Sequence, residues 1–444
     1  MQRPGLVRLL WASGFLAVLL GPTLLSLVNG NDNPLASQLA VQSGLLATGL
    51  LVGSVVAPSR MRSLTRSIGI EGVLGAHRSL GLLVVLMVLV HVILVVAANP
   101  NSVVLFDPRQ WSMPSRAAIG ATVSLILLAG LALVRHRGSS YSRWRWIHIG
   151  LAVVAVVGSA LHIWWLNHLV RDPVLRVAFG LLAAGLLGVL SYRWVWRPAL
   201  DRRGAWMVRE IRAESPDVHT LVICPRRPRH GFDVSTMAFE PGQFAWIRTK
   251  PSVAAEEHPF TIASCPAGSE TIEFTIRNVG DFTSTVGALN VGDPVWIDGP
   301  HGSFTWDDQV YSRALVLLAG GVGITPMMSM LRALALRGDT TPVLMLSAAR
   351  HEHELLFRDE LAELTGSLDL TLVEVLSRPP GNWAGRTGRI DGQLLAEVLP
   401  RSQGRRKVEY FICGPSPMVS GVLEGLAALG VPPSRIHTEQ FDMV

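Results

Sequence analysis

Six apolar stretches fill the first 192 residues of this 444-residue chain, and they constrain its fold more than any other feature. Each approaches the ~20 residues that a helix needs to cross a ~30 Å hydrocarbon layer, and short polar breaks separate them. The pattern predicts spans over Leu6–Val28, Gln38–Ala57, Val73–Ala98, Arg116–Val134, Trp146–Leu166 and Val174–Tyr192. Arg3 and Arg8 before the first run leave a signal peptide open there, although the run is long and no small-x-small cleavage site follows it. From Ala205 onward the chain reads as an ordinary soluble protein. The expected architecture is a membrane all-α six-helix bundle over residues 1–198, with soluble domains over 203–308 and 309–444.

Lys and Arg outnumber Asp and Glu by 39 to 33, a formal net charge of +6. A basic chain invites a nucleic-acid partner, but these arginines sit beside the spans, where they set topology, so no nucleic acid is expected. Arg60, Arg62 and Arg66 follow span two, Arg135, Arg137, Arg143 and Arg145 follow span four, and Arg193, Arg197, Arg202 and Arg203 follow span six. The alternate loops carry only Arg109, Arg116, Arg171 and Arg176. This asymmetry predicts a multi-pass plasma-membrane protein with both termini and the soluble half in the cytoplasm. The three cysteines, Cys224, Cys265 and Cys413, all fall in that half, so no structural disulfide is expected. Nor do they form the four-cysteine cluster of a ferredoxin-type iron–sulfur centre.

Span three holds His77 and His91, and span five holds His148 and His162, so one fourteen-residue spacing occurs twice. Fourteen residues return to within about 40° of whole turns and climb ~21 Å, so each helix shows two imidazoles on one face at two depths. Spans three and five cross in the same direction, which pairs His77 with His148 at one depth and His91 with His162 at the other. Each pair offers two axial nitrogens to one iron, the ligation of a low-spin b-type haem. The bland alternative is buried polar residues that hydrogen-bond between helices. It suits one histidine better than four in matched pairs, because ionisable groups in a membrane are costly and usually functional. With no Cys-x-x-Cys-His motif, the two b-type haems are expected to be non-covalent. Arg78, beside His77, either pairs with a haem propionate or snorkels to the headgroups. His168, Trp164 and Trp165 form either an acceptor pocket or an interfacial belt.

Between Trp206 and Ile297, short β-rich runs alternate with Pro and Gly: His219–Ile223, Gln243–Ile247, Phe260–Ala263, Ile272–Arg277 and Val295–Ile297. Such spacing suggests a small antiparallel barrel. It contains Pro241-Gly242-Gln243-Phe244, then His258-Pro259-Phe260-Thr261-Ile262-Ala263-Ser264, then Arg277 and Gly280-Asp281-Phe282-Thr283. The Gly-led turn is expected to expose backbone N–H groups and a Thr hydroxyl, and the arginine adds a fork for phosphate oxygens. After a Gly299-Pro300-His301-Gly302 turn, the apolar run Ala314–Ala319 leads through Gly320-Gly321-Val322-Gly323-Ile324-Thr325-Pro326 into a helix over Met327–Leu336. Thr325 is expected as its N-cap, with Pro326 at the first helical position. The glycines let a dinucleotide pyrophosphate approach the free N–H groups of that helix, although the spacing is not G-x-G-x-x-G. A further strand, Val408–Ile412, ends at Cys413-Gly414-Pro415-Ser416-Pro417-Met418.

In these strings the sequence resembles the ferredoxin–NADP reductase superfamily, and more closely its membrane branch, the NADPH oxidases and ferric reductases. The resemblance covers nearly the whole chain: six spans, an antiparallel β-barrel for FAD and an α/β nucleotide-binding domain, in the family's order. It implies that His258, Pro259, Phe260 and Thr261 line the isoalloxazine and ribityl part of FAD. It implies that Arg277 and the Gly280, Asp281, Phe282, Thr283 turn contact the FAD pyrophosphate. Gly320, Gly321, Gly323, Thr325 and Pro326 then receive NAD(P)H, and Cys413, Gly414 and Pro415 lie beside the nicotinamide. Leu346–Arg350, Phe357–Leu361 and Ser377-Arg378-Pro379 also look like the family's nucleotide domain. Arg350, Arg378 and Arg386 suit the 2′-phosphate of NADPH, which slightly favours NADPH over NADH; each also suits a solvated surface. Phe441 resembles the aromatic that covers the flavin, with three residues beyond it. Thr261, Cys413 and Phe441 are thus the candidate catalytic residues, although Cys413 has no base to make it a nucleophile and a packing role suits it better.

The implied activity is transmembrane electron transfer from cytoplasmic NAD(P)H, through FAD and two haems, to an external small-molecule acceptor. Bis-histidine iron has no open coordination site, so a ferric chelate or O2 is reduced by outer-sphere transfer in either case. The absence of calcium-binding or long extracellular insertions leans towards a ferric reductase over an oxidase that makes superoxide. A third reading is an electron-transfer subunit that serves a periplasmic protein docked on the Asn99–Ser115 loop, and a fourth is a haem-free membrane flavoprotein.

Overall fold

Leu, Val and Ala dominate the N-terminal runs, and in the computed structural model of the chain each run is helical. The structure describes residues 4–28, 34–59, 61–99, 101–102, 107–133, 141–196, 205–226, 237–250, 257–266, 270–306, 314–399 and 407–440. Arg60, Arg135, Arg137, Arg197, Arg202, Arg203 and Phe441 lie outside these described residues. The chain divides into two compact units, Met1–Ala199 and Leu200–Val444.

The first unit contains α1 (Pro4–Val28), α2 (Leu35–Val56), α3 (Arg62–Ala98), α4 (Met113–Leu133), α5 (Tyr141–Leu166) and α6 (Pro173–Ser191). Six segments among the described residues are long and apolar enough to cross a membrane: Leu9–Val28, Leu35–Ser59, Ile68–Ala98, Met113–Leu133, Arg143–Leu166 and Pro173–Trp196. The sequence placed all six within a few residues of these bounds, but α3 itself starts eleven residues before the predicted Val73. Polar residues interrupt an apolar run without forbidding a helix, and the break comes at Gly69, whose φ of 72° separates residues 62–68 from 70–98. α6 starts at an aspartate N-cap, with Asp172 Oδ1 accepting from the N–H groups of Val174 and Leu175 at 2.8 and 2.9 Å.

Small residues bring these helices close. A Cβ added to Gly49 on α2 would lie 2.6 Å from the Leu19 carbonyl oxygen of α1, so only glycine permits this approach. Leu50, Leu51, Val84, Leu125 and Ala155, from four different helices, form one buried cluster.

Among its described residues, the second unit contains two six-stranded sheets. The first is antiparallel, with β1 (Ala205–Ser215), β2 (Val218–Pro225), β3 (Phe244–Arg248), β4 (His258–Thr261), β5 (Ile272–Arg277) and β6 (Pro294–His301) in the order β4-β3-β6-β1-β2-β5. Past the end of β4, the Ala263 N–H donates to the Glu273 carbonyl of β5 at 2.8 Å, which draws the two outer strands together into the expected barrel. Its interior is filled by alternate residues such as Val208, Leu221, Ile223, Ile247, Ile272 and Phe274. After β5 comes the short α7 (Asp281–Val286).

The second sheet is parallel throughout. β7 (Ala314–Gly320), β8 (Val343–Ala349), β9 (Leu370–Leu376), β10 (Arg386–Thr387), β11 (Val408–Gly414) and β12 (Ile436–Gln440) stand in the order β10-β9-β8-β7-β11-β12. β7 and β11 are nearly continuous apolar runs because α8 (Thr325–Arg337) and α9 (Arg358–Thr365) pack on one face of this sheet and α10 (Gly392–Val398) and α11 (Ser416–Ala428) on the other. Chain order reverses between β7 and β11, and the crevice at the carboxyl ends of such strands is where open α/β sheets take ligands.

The expected N-cap at Thr325 is corrected. Residues Gly321–Ile324 form a 3-10 turn immediately after β7, so Ile324 occupies the cap and Thr325 is already helical. Its hydroxyl donates back to the Val322 carbonyl at 3.0 Å instead of accepting from the first turn of α8. Gly321, at φ 55°, makes this early start possible.

Candidate functional site

Three of the four membrane histidines are held in the same way. Nδ1 of His77 lies 2.8 Å from the Ser54 carbonyl oxygen, that of His91 lies 2.6 Å from Ala40, and that of His162 lies 3.0 Å from Pro114. A carbonyl only accepts, so each Nδ1 carries the proton and each Nε2 presents its lone pair, the tautomer that a metal ligand needs. Gly44 makes room for one of these bonds, since a Cβ there would sit 3.0 Å from the His91 ring. His148 differs: its Nδ1 is buried and has no hydrogen-bond partner among the described residues, and Trp144, one turn earlier, stacks on the ring at 5.1 Å.

The rings of His77 and His148 approach to 6.1 Å between centroids. Two imidazole nitrogens, each about 2 Å from one shared metal, place their ring centroids roughly 6 Å apart, so this pair fits a single iron. No group of three or more metal-binding side chains occurs among the described residues. A metal between two histidines needs its other ligands from elsewhere, and the four nitrogens of a porphyrin meet that need. Val84 lies midway between His77 and His91, and Ala155 lies midway between His148 and His162; both are almost completely buried, in one cluster. The sequence reading passed over this intervening layer, although its seven-residue offset from each histidine was a usable signal.

In the second unit, the two strings expected around FAD meet through aromatic rings. Phe282 stacks on His258 at 4.4 Å and lies nearly parallel to Phe260 at 6.0 Å. Thr261 is buried opposite Phe244, with Pro259 beside it on β4. Thr283 departs from expectation. Its hydroxyl oxygen accepts from the N–H groups of Val279 and Gly280, both at 2.9 Å, and donates to the Gly280 carbonyl, so it closes the turn and is not presented to a ligand. Asp281 begins α7 beside it.

The glycine loop lies against both neighbouring strings. A Cβ on Gly321 would lie 3.3 Å from Nη1 of Arg277, and one on Gly323 would strike the Cys413 carbonyl oxygen at 2.4 Å. A Cβ on Gly320 would meet Met418 Sδ at 2.5 Å and Pro415 Cδ at 3.1 Å. These approaches bring Gly320, Gly321 and Gly323 together with Arg277 and with Cys413, Gly414 and Pro415. The Cys413 side chain is fully buried in the core under α8, and Thr325 and Pro326 are buried at the start of that helix.

The three arginines considered for a 2′-phosphate separate. Arg378 lines a cleft of about 1240 Å³ with Arg212, Arg358, His351, His353 and Pro379, past the carboxyl ends of β8 and β9. Arg386 pairs with Glu397 at 3.1 Å on the far edge strand, and Arg350 is exposed, with its backbone N–H donating to Glu354. Arg358, within the cleft, forks onto Glu374 at 2.7 and 2.9 Å and also reaches Glu352 at 2.8 Å. The hydrogen bonds to Glu374, and then those to Glu352, hold this guanidinium above the usual arginine pKa. Sequence reasoning missed the ion pairs around Arg332, which join α8 to the barrel through Glu273 and to α9 through Glu360. They connect residues far apart in the chain, and no local pattern announces them.

Three family patterns match in chain order: a ferric reductase like transmembrane component over residues 43–159, an FAD-binding domain over 209–303 and an oxidoreductase NAD-binding domain over 317–424. Ferredoxin–NADP reductase B of Sorangium cellulosum is 33% identical over 216 residues, 47% of this chain and 88% of that protein. The reductase component of propane 2-monooxygenase from Mycolicibacterium goodii is 29% identical over 238 residues, 52% of this chain. The chain spans 66% of that protein's length, and 62% of the corresponding Rhodococcus jostii component. Among solved structures, the FAD/NAD-binding domain of a Vibrio cholerae nitric oxide dioxygenase is 25% identical, with a TM-score of 0.46, over 54% of this chain and 99% of that one. By its FAD- and NAD-binding domains the chain thus belongs to the ferredoxin–NADP reductase family, and its residues 43–159 match a ferric reductase like transmembrane component.

Proposed function

We propose that this oxidoreductase carries electrons from cytoplasmic NAD(P)H to an acceptor outside the plasma membrane, as a ferric chelate reductase, with FAD and two b-type haems as its carriers. The observation that carries this reading is the His77–His148 pair, 6.1 Å between ring centroids, on helices that repeat a histidine fourteen residues later. Bound FAD would supply the chemistry that joins the two units' carriers, hydride uptake from the nicotinamide and release of the two electrons one at a time.

The chain's own residues make that chemistry possible. His77 and His148 would hold one iron, and His91 and His162 the other; the backbone carbonyls of Ser54, Ala40 and Pro114 keep three of these rings in the ligating tautomer. Val84 and Ala155 occupy the layer between the two depths and keep water out of it. In the second unit, His258, Pro259, Phe260 and Thr261 line the flavin, with Phe282 stacked beside them and Arg277 offering its fork to the pyrophosphate. Gly320, Gly321 and Gly323 admit the nucleotide to the start of α8, and Arg378 faces its 2′-phosphate in the cleft, which favours NADPH. The excess of arginine in alternate loops supports cytoplasmic termini.

The test uses purified full-length protein supplied with NADPH or NADH and a ferric chelate. The expected result is chelate reduction that superoxide dismutase leaves unchanged, together with a strong Soret band in the dithionite-reduced spectrum. Inhibition by superoxide dismutase would transfer the assignment to an oxygen-reducing oxidase, and a missing Soret band would end the haem reading.

A further inference from the structure

We propose that Arg332 is a positioning residue for hydride transfer, holding the helix that receives the nicotinamide nucleotide at a set distance from the strand that lines the flavin. The inference rests on the assignment of those two segments given above. Both segments lie in one compact unit, and two fastenings join them. Ser329 Oγ donates to the Ser264 carbonyl at 2.8 Å, and Arg332 Nη1 donates to the Ala263 carbonyl, also at 2.8 Å. Ala263 and Ser264 directly continue the His258–Thr261 strand. Ser329 and Arg332 sit one and two turns into α8, whose first residues are the Thr325-Pro326 end of the glycine loop. A helix rises about 1.5 Å per residue, so roughly 10 Å of stiff rod connects the nucleotide end to the guanidinium.

The guanidinium is anchored on its other sides as well. Nε and Nη2 fork onto Glu360 of α9 at 2.6 and 2.7 Å, and Nη1 also reaches Glu273 Oε2 on β5 at 2.9 Å. Glu273 Oε1 in turn accepts from Arg212 of β1 at 2.7 Å, so two arginines and two glutamates alternate in charge across the junction. The ring of Phe357 lies under the guanidinium at 5.5 Å. Burial alone would lower the pKa of Arg332, but the bonds and charges of Glu360 and Glu273 outweigh it and raise the pKa, so the clasp stays charged at every working pH. Only a planar fork can serve two carboxylates and a carbonyl at once, which a lysine ammonium cannot reproduce. Hydride transfer requires reacting atoms about 3–3.5 Å apart, and a 1 Å misplacement can cost about a hundredfold in rate. Arg332 also lines the cleft that holds Arg378, so its positioning effect is read on the rate at saturating nucleotide, where a contribution to binding cancels.

The experiment follows anaerobic flavin reduction by stopped flow in full-length, FAD-loaded protein, comparing wild type with Arg332→Gln, Arg332→Lys and Ser329→Ala. For Arg332→Gln, the expected flavin-reduction rate at saturating NAD(P)H falls about ten- to a hundredfold. The FAD content stays at the wild-type value, the half-saturating nucleotide concentration changes by less than the rate does, and the primary deuterium isotope effect rises. Arg332→Lys recovers part of the rate, and Ser329→Ala, which removes one hydroxyl only, shows a smaller loss in the same direction. The inference is overturned if Arg332→Gln reduces its flavin as fast as wild type. It is also overturned if the loss in that variant tracks lost FAD while Ser329→Ala keeps the full rate. A wild type that holds no FAD, or whose flavin NAD(P)H does not bleach, overturns the underlying assignment, and the inference with it.

Discussion

At the scale of single residues, hydrogen bonds assign roles that residue type alone leaves open. The histidine spacing was legible in the sequence, but the tautomer was not, because the Ser54, Ala40 and Pro114 carbonyls come from other helices. Replacing His91 by leucine is expected to remove one haem per protein, halving the Soret absorbance while NAD(P)H still reduces the flavin; a full haem complement in His91→Leu would contradict the pairing. Threonine hydroxyls were misread twice, at Thr283 and Thr325, because each turns back to its own backbone instead of outward. Of the three arginines weighed for the 2′-phosphate, Arg386 has a carboxylate partner and only Arg378 lines the cleft. Arg378→Ala is therefore expected to raise KM for NADPH about tenfold or more, the loss of a charged hydrogen bond of about 1.5–3 kcal/mol, while KM for NADH changes little. Steady-state kinetics with both nucleotides checks this.

At the scale of elements, the glycines fix how close one segment comes to the next. The Gly323 loop presses on the Cys413 carbonyl with no room for a methyl group, and backbone cannot swing aside as a side chain can. Gly323→Ala is expected to cost about 1–3 kcal/mol through this clash, lowering the unfolding temperature of the flavin-binding unit by several degrees. Thermal release of FAD fluorescence from the variant measures it. Gly49 plays the same part between α1 and α2, where Gly49→Val would push the helices apart. The expected result is loss of detergent stability with the flavin-binding unit unchanged, and equal melting of both units in that variant would refute it. The kink at Gly69 and the long strand β1 escaped the sequence reading for a common reason. Charged residues at Arg62, Arg66, Arg209, Glu210 and Arg212 break the apolar pattern without breaking the element.

At the scale of the whole molecule, the chain divides into two compact units, and the proposed function gives each its own cofactor. Ligand that binds only the folded form stabilises its own unit by mass action, about 2.7 kcal/mol at a hundredfold excess over Kd. Added FAD is accordingly expected to raise the melting temperature of the Leu200–Val444 unit by several degrees and to leave the Soret band untouched, a pair of readings available from one heated sample. A matching shift in haem release would mean that the units unfold as one.

Periodicity and local strings carried the architecture: apolar length against bilayer thickness set six helices, and the strand–glycine–helix run set the nucleotide fold. Such features depend on neighbours in the chain, so they are written in the sequence. Tertiary structure alone decided which atoms meet. It placed His77 against His148, seated Val84 and Ala155 in one cluster and tied Arg332 to Glu273, Glu360 and the Ala263 carbonyl just past β4. Each of those contacts joins residues far apart in the chain, and its geometry exists only after helices and sheets have packed.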